Sequence, residues 1–126
     1  MAEHEAAPLE VDEPVLLIKI PKLWRRGMSP EELYEATRAC WKISKRNAEQ
    51  RRFVLAVAEG LVREVYRVDR WQACHKLTGR DVGRFEFVGS PAQDRAQWIG
   101  KDVSRYFPRG SQNSIRYIAP DPKTVA

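Results

Sequence analysis

Phe53-Val54-Leu55-Ala56-Val57-Ala58-Glu59-Gly60-Leu61-Val62-Arg63-Glu64-Val65-Tyr66 is the stretch whose reading decides the fold. Its first six residues are an unbroken apolar run, too short for an ordinary helix and suited to a strand buried on both faces. Glu59-Gly60 can turn the chain, so Leu61 to Trp71 is expected to return antiparallel as the second arm of a hairpin. Leu61, Val65 and Val68 also fit a helical stripe, but the β-branched and aromatic content favours strand. In an extended chain Val62, Glu64, Tyr66 and Val68 share one face and Arg63, Val65, Arg67 and Trp71 the other, so neither face is purely apolar.

Outward from the hairpin, Val15-Leu16-Leu17-Ile18-Lys19-Ile20 reads as a buried strand closed by Pro21. Ser29-Pro30-Glu31-Glu32 is a helix start with a cap, a proline at the first helical position and a capping box. Leu33, Ala36, Thr37, Cys40 and Trp41 follow on one apolar face. Residues 42–52 are polar and basic. Residues 72–83 read as an excursion loop, and Phe85 and Phe87 open a fourth strand. Ser90-Pro91-Ala92-Gln93 repeats the capping chemistry for a short helix to about Trp98, and Asp102 can cap a further turn carrying Val103, Tyr106 and Phe107. A last strand runs from Ile115 to Ile118. The fold class expected is α+β: a small, curved, five-stranded, mainly antiparallel sheet with two or three short helices. Residues 1–13 are expected as a disordered acidic tail, 14–119 as one domain, and 120–126 as a second disordered tail.

The chain has 126 residues, 43% of them hydrophobic and 31% charged, with a net charge of +5. Its mean hydropathy is -0.55. One domain with its own core fits this length, and no apolar run approaches the roughly 20 residues of a membrane span. The acidic start lacks the apolar stretch of a secretory signal. Cys40 and Cys74 stand alone, which fits a reducing, cytoplasmic setting. Residues 1–13 hold five acids and no Lys or Arg, so the remainder carries 22 basic against 12 acidic side chains. Fifteen of those cations are arginine, whose planar fork suits phosphates and base edges. A polyanion is the partner this balance implies, with nucleic acid ahead of a membrane surface or an acidic protein; a merely solvated basic surface is the plain alternative.

No catalytic constellation is legible. Phosphate-loop, dinucleotide, zinc-protease and nucleophile-elbow patterns are absent. Cys74-His75 lacks a second pair at zinc spacing, and its side chains diverge in an extended chain, so it reads as a loop histidine beside a half-buried thiol. No metal, cofactor or catalytic residue is assigned. Aromatic residues interleaved with cations are the stronger signal. Trp24 lies beside Lys22, Arg25 and Arg26; Trp41 precedes Lys45 and Arg46, with Arg51 and Arg52 further on; Trp71 follows Arg67 and Arg70. A base stacked on Trp24 or Trp41 with phosphates on these cations is the economy of single-strand or flipped-base recognition. Core packing is the competing role for each tryptophan. In Arg109-Gly110-Ser111-Gln112-Asn113, the Ser, Gln and Asn side chains can read a base edge, and equally make an ordinary polar turn.

The order of Met28 to Arg38, Phe53 to Val57 with Leu61 to Tyr66, Gly100 to Val103 and Asn113 to Tyr117 resembles a small bacterial domain family found alone or fused to restriction-type endonuclease modules. The resemblance spans residues 15–118. The layout is also similar to the PUA-like superfamily, which includes EVE, ASCH and YTH domains, although the starting-strand pattern of EVE domains is missing. That resemblance implies a PUA-like barrel holding nucleic acid, in some members a modified base in an aromatic pocket, with Trp24, Trp41 and Trp71 as wall residues. It also implies a partner of the endonuclease type. A non-catalytic nucleic-acid-binding module is therefore the leading expectation. A small hydrolase or nuclease-like enzyme on RNA or nucleotides, and a module docking an acidic protein, are the alternatives.

Overall fold

The computed structural model describes residues 6–20, 23–75, 83–108 and 113–120. In chain order the elements are β1 (Val15–Lys19), α1 (Pro30–Arg38), α2 (Lys45–Glu49), β2 (Phe53–Ala58), β3 (Leu61–Ala73) and β4 (Phe85–Pro91). Two 3₁₀ segments, Gln93–Trp98 and Ser104–Tyr106, then lead to β5 (Ile115–Ile118). The strands form one sheet in the order β4-β3-β2-β1-β5. This is the α+β architecture expected, but the sheet is mixed. β1 lies parallel to β2, with Val15 opposite Phe53 and Lys19 opposite Val57, while the other three pairings are antiparallel. β4 and β5 stand at opposite margins, so among the described residues the sheet is open rather than closed into a barrel.

The hairpin forms as its sequence dictates. Ala58 pairs with Leu61, and both turn residues take positive φ, 55° at Glu59 and 78° at Gly60. Those signs make the two-residue turn whose twist matches the flanking strands. Simple alternation along β3 fails at two bulges. One extra residue at Arg63 puts Val62 and Val65 in the same layer, and another at Asp69 does the same for Tyr66 and Trp71. The bulges explain why neither face looked apolar when read at a period of two.

Every residue of β2 is buried, so both faces of the sheet must be covered. On one face Val15, Leu17, Phe53, Leu55, Val62 and Val65 pack under Leu9, Val11, Trp98 and Val103. On the other, Leu16, Ile18, Val54, Tyr66, Trp71 and Phe87 pack under α1, α2, Trp24 and Trp41. The capping box at Ser29 and Glu32 is present, as expected. The helix ends at Arg38, however, so Cys40 and Trp41 leave the helical face. α2, capped by Ser44, occupies part of the basic stretch that showed no helical pattern. Ser90-Pro91 belongs to β4, and the 3₁₀ segment that follows has no side-chain cap.

The acidic tail needs correcting. Residues 6–13 fold back onto the sheet: the Leu9 amide donates to the Asp102 carbonyl at 2.8 Å, and Leu9 and Val11 are buried. Leu9 and Val11 are separated by Glu10 and followed by Asp12 and Glu13, and this apolar pair set among acids is the signal that a reading from composition misses. Residues 1–5 and 121–126 lie outside the described residues. Leu9→Ala should therefore cost about 2–5 kcal/mol of unfolding free energy in chemical denaturation. A cost near zero would mean that this segment does not hold the sheet.

Candidate nucleic-acid interface

The parallel pairing of β1 and β2 separates the cations that the sequence grouped. Trp24, Arg25 and Arg26 follow β1 and lie at the sheet end where Glu59 turns the hairpin. Arg51 and Arg52 precede β2 and lie at the opposite end. At about 3.3 Å per residue, the five residues of β1 put roughly 17 Å between the two ends. One groove holding both sets is thus excluded.

At the Trp24 end the side chains are already engaged. The Arg63 guanidinium sits 4.1 Å from the Trp24 ring centroid, and that of Arg26 lies at 5.8 Å. Arg25 donates to Glu32 at 2.7 Å, and Arg26 lies 3.9 Å from Glu59. Trp24 is therefore an arginine-stacked packing residue, and a base would have to displace Arg63 to reach it. Trp41 is likewise structural. Its indole N–H donates to the Thr37 carbonyl at 2.7 Å, and its backbone pairs with Phe85 at the outer edge of β4. Asn113 accepts the Ile115 amide at 2.9 Å, which fixes the turn into β5. Lys22, Arg109, Ser111 and Gln112 lie outside the described residues.

The other end of the sheet is arginine-rich beyond what adjacency in sequence showed. Arg52, Arg67 and Arg95 converge on the Phe53 ring, at 5.8, 4.9 and 5.1 Å from its centroid. Arg67 comes from β3 and Arg95 from the 3₁₀ segment after β4, so only the fold assembles this set. Beside it, Arg51, Arg52 and Arg70 line a cavity of about 290 Å³ with Glu49, Val68, Asp69 and Trp71. That volume is at the small end of ligand sites. Trp71 is 5% exposed, and its indole nitrogen is buried without a hydrogen-bond partner. Such an orphaned donor is costly unless something accepts from it.

The cations here differ in freedom. Arg51 straps the strand start, donating to the Val15 and Asn47 carbonyls at 3.1 and 2.9 Å and lying over the Tyr117 ring. Burial pulls its pKa down. Lys45 pairs with Glu49 along α2 at 3.6 Å, whereas Arg46 is exposed and has no ion pair among the described residues. Glu13 takes Arg52 and Arg95 together, at 3.0 and 2.8 Å, and Asp94 takes Arg67 at 2.7 Å. The folded-back segment thus lays a carboxylate on the basic surface. Partial burial opposes the Glu13 charge, but the hydrogen bonds from Arg95 and Arg52 outweigh it and hold its pKa below the usual range.

A second polar cluster lies where β3 and β4 leave the core. Glu86, 1% exposed, accepts from Gln72 at 2.7 Å, Arg38 at 3.0 Å and the His75 amide at 3.1 Å. His75 Nδ1 lies 2.5 Å from the Glu86 carboxylate. Burial would raise the Glu86 pKa, yet the hydrogen bonds from His75 and Gln72 and the charge of Arg38 overcome it and bring it to about 2. Cys40 and Cys74 are joined in a disulfide here, across 34 residues of sequence. The reading of two isolated thiols is corrected, and with it goes the support it lent to a reducing, cytoplasmic setting. The interpretation of Cys74-His75 as a pair without further ligands is also corrected. Cys40 and Glu86, distant in sequence, complete a group whose ligand atoms all lie within 4.8 Å of one another.

No protein-family model, curated protein or solved structure matches the chain. No helix among the described residues is long and apolar enough to cross a membrane.

Glu13→Gln should lower stability at pH 7 by about 1.5–3 kcal/mol, the range for hydrogen bonds to charged groups. Because the folded-state pKa is depressed, the contribution of Glu13 is complete above about pH 4.5 and fades as the pH falls through the folded value. Melting curves across pH should show the gap between variant and parent closing in that window. A gap that stays constant with pH would rule out the ion pairs as its origin.

Proposed function

We propose that the chain is a non-catalytic nucleic-acid-binding module whose binding surface is the arginine end of the sheet. The observation that carries this reading is the cavity edged by Arg51, Arg52 and Arg70, with the Trp71 side chain in its lining. Guanidinium groups recognise phosphate oxygens through paired donors. With α2 included, seven cations (Lys45, Arg46, Arg51, Arg52, Arg67, Arg70, Arg95) face five carboxylates (Asp12, Glu13, Glu49, Asp69, Asp94), a local excess of two positive charges. The resemblance to PUA-like domains supports the same reading, and so does the resemblance to the family fused to endonuclease modules, which supplies the partner class. The aromatic residue lining this cavity is Trp71, and Trp24 and Trp41 are packing residues.

A second reading has its own support. Glu13 and Asp94 are carboxylates seated among these arginines, so an acidic protein segment would find the same partners.

Titration of the protein with short single- and double-stranded oligonucleotides at two salt concentrations separates the two. Saturable binding should weaken by about 0.7–0.9 log units per phosphate contacted for each decade of salt. Arg70→Ala should reduce that slope by about 1 while leaving the fold intact. Trp24→Ala should leave affinity within about twofold, because Trp24 stands at the far end of the sheet. Glu13→Gln should tighten binding by releasing Arg52 and Arg95. Failure to bind any oligonucleotide at low salt would overturn the nucleic-acid reading, and tight binding of an acidic peptide in its place would establish the second.

A further inference from the structure

We propose that Cys40, Cys74, His75 and Glu86 form a zinc site that opens when the Cys40–Cys74 disulfide is reduced. Four different potential ligands meet here with their ligand atoms within 4.8 Å of one another. A tetrahedral zinc ion with bonds of about 2.0–2.3 Å needs its ligands some 3.3–3.8 Å apart, so small side-chain adjustments suffice. Two thiolates, an imidazole and a carboxylate are all ligands that zinc accepts.

The scaffold holds these groups from separate directions. Cys40 sits next to Trp41, whose backbone pairs with Phe85 on the outer edge of β4. Cys74 follows β3, with its amide donating to the Arg84 carbonyl at 2.9 Å. Glu86 is on β4, held by Gln72 and Arg38. Those last two residues would remain as outer partners that orient the carboxylate, which is how metal ligands are usually supported. His75 has 55% of its side chain exposed, and this gives the ion a way in.

Charge favours the ion as well. Two thiolates and the Glu86 carboxylate carry three negative charges; Zn²⁺ supplies two positive ones, and the guanidinium groups of Arg38, shared with Glu35, and Arg84, donating to the Cys40 carbonyl at 3.4 Å, lie around the group. Arg38 is itself largely covered, with 14% of its side chain exposed. A buried group of this kind is tolerated when its charges balance and its hydrogen bonds are kept.

In the disulfide form each sulfur is spent on the other, and neither is a thiolate. A dithiol reductant supplies two electrons and two protons: the S–S bond breaks, Cys40 and Cys74 become thiols, and the reductant leaves as its own disulfide. Zn²⁺ then takes both sulfurs as thiolates and releases their two protons. His75 Nδ1 and a Glu86 oxygen complete the set, with the imidazole proton carried on Nε2. The site lies just beyond the arginine end along β3, linked to it by the Arg70 guanidinium donating to Gln72 at 3.3 Å, and its metal chemistry does not rest on the proposed nucleic-acid role.

The test uses the full chain with zinc alone as probe. Protein reduced by a dithiol, freed of reductant and handled without oxygen should bind one equivalent of zinc, read by native mass spectrometry. The disulfide form should bind none. Cobalt in place of zinc should give the visible bands of a tetrahedral thiolate complex. His75→Ala, at an exposed position, should weaken zinc binding at least tenfold, Cys74→Ser should lower the cobalt–thiolate band to about half or less, and Cys40→Ser with Cys74→Ser together should abolish it. If the reduced chain unfolds without metal, zinc should refold it, as seen by circular dichroism. Reduced protein that takes up no zinc, stays unfolded with zinc, or binds it equally well in His75→Ala would overturn the proposal and leave the cysteines as a disulfide staple.

Discussion

Burial of the parallel β1–β2 pair on both faces is the constraint on which the rest of the structure depends. Four of the five residues of β1 and all six of β2 are buried. Parallel strands cannot be joined by a tight turn, so the chain between them must cross over the sheet. That crossover carries α1 and α2 and covers one face. The opposite face is left to Leu9, Val11 and the 3₁₀ segments near Trp98 and Val103, which is why residues expected to be a solvated tail are part of the core.

The same constraint distributes the charge. A hairpin between β1 and β2 would have brought the cations after β1 next to those before β2. Parallel pairing sends them to opposite ends of the sheet. The Trp24 end is locally satisfied by stacking and by Glu32 and Glu59, while the Phe53 end gathers Arg52, Arg67 and Arg95 from three elements. Guanidinium groups tolerate this crowding because aromatic faces and shared carboxylates hold them at fixed spacing. Glu13 shows how the fold meets its own basic surface, and why any polyanion has to compete with a resident carboxylate.

The Glu86 cluster follows another logic. A carboxylate this deeply buried stays ionised only because three side chains and one amide hydrogen-bond to it or neutralise it. Three of those four contacts come from Gln72 and His75, on or just beyond β3, and the fourth comes from α1. The bulge at Asp69 sets the register that places Gln72 opposite Glu86. A backbone irregularity five residues before Cys74 thereby fixes the chemistry around the cysteines.

Local rules made the hairpin, the capped α1, the last strand and the α+β class readable from residue types alone, because turn geometry, capping and strand propensity act over a few residues. The bulges in β3 escaped the same reading, since an inserted residue changes which side chains share a face without changing composition. The candidate site was half legible. Arg51 with Arg52, and Trp71 with Arg67 and Arg70, stood out as two separate groups by adjacency, but only strand register brought the two together and only the packing of the 3₁₀ segment added Arg95. Cys74 and His75 are adjacent, but Cys40 and Glu86 lie 34 residues before and 11 residues after that pair, and no local signal links them to it. Whether a strand pairs parallel or antiparallel, and which distant side chains then meet, depends on how two faces of one sheet are buried together. That is a property of the packed chain, and only the tertiary structure decided it.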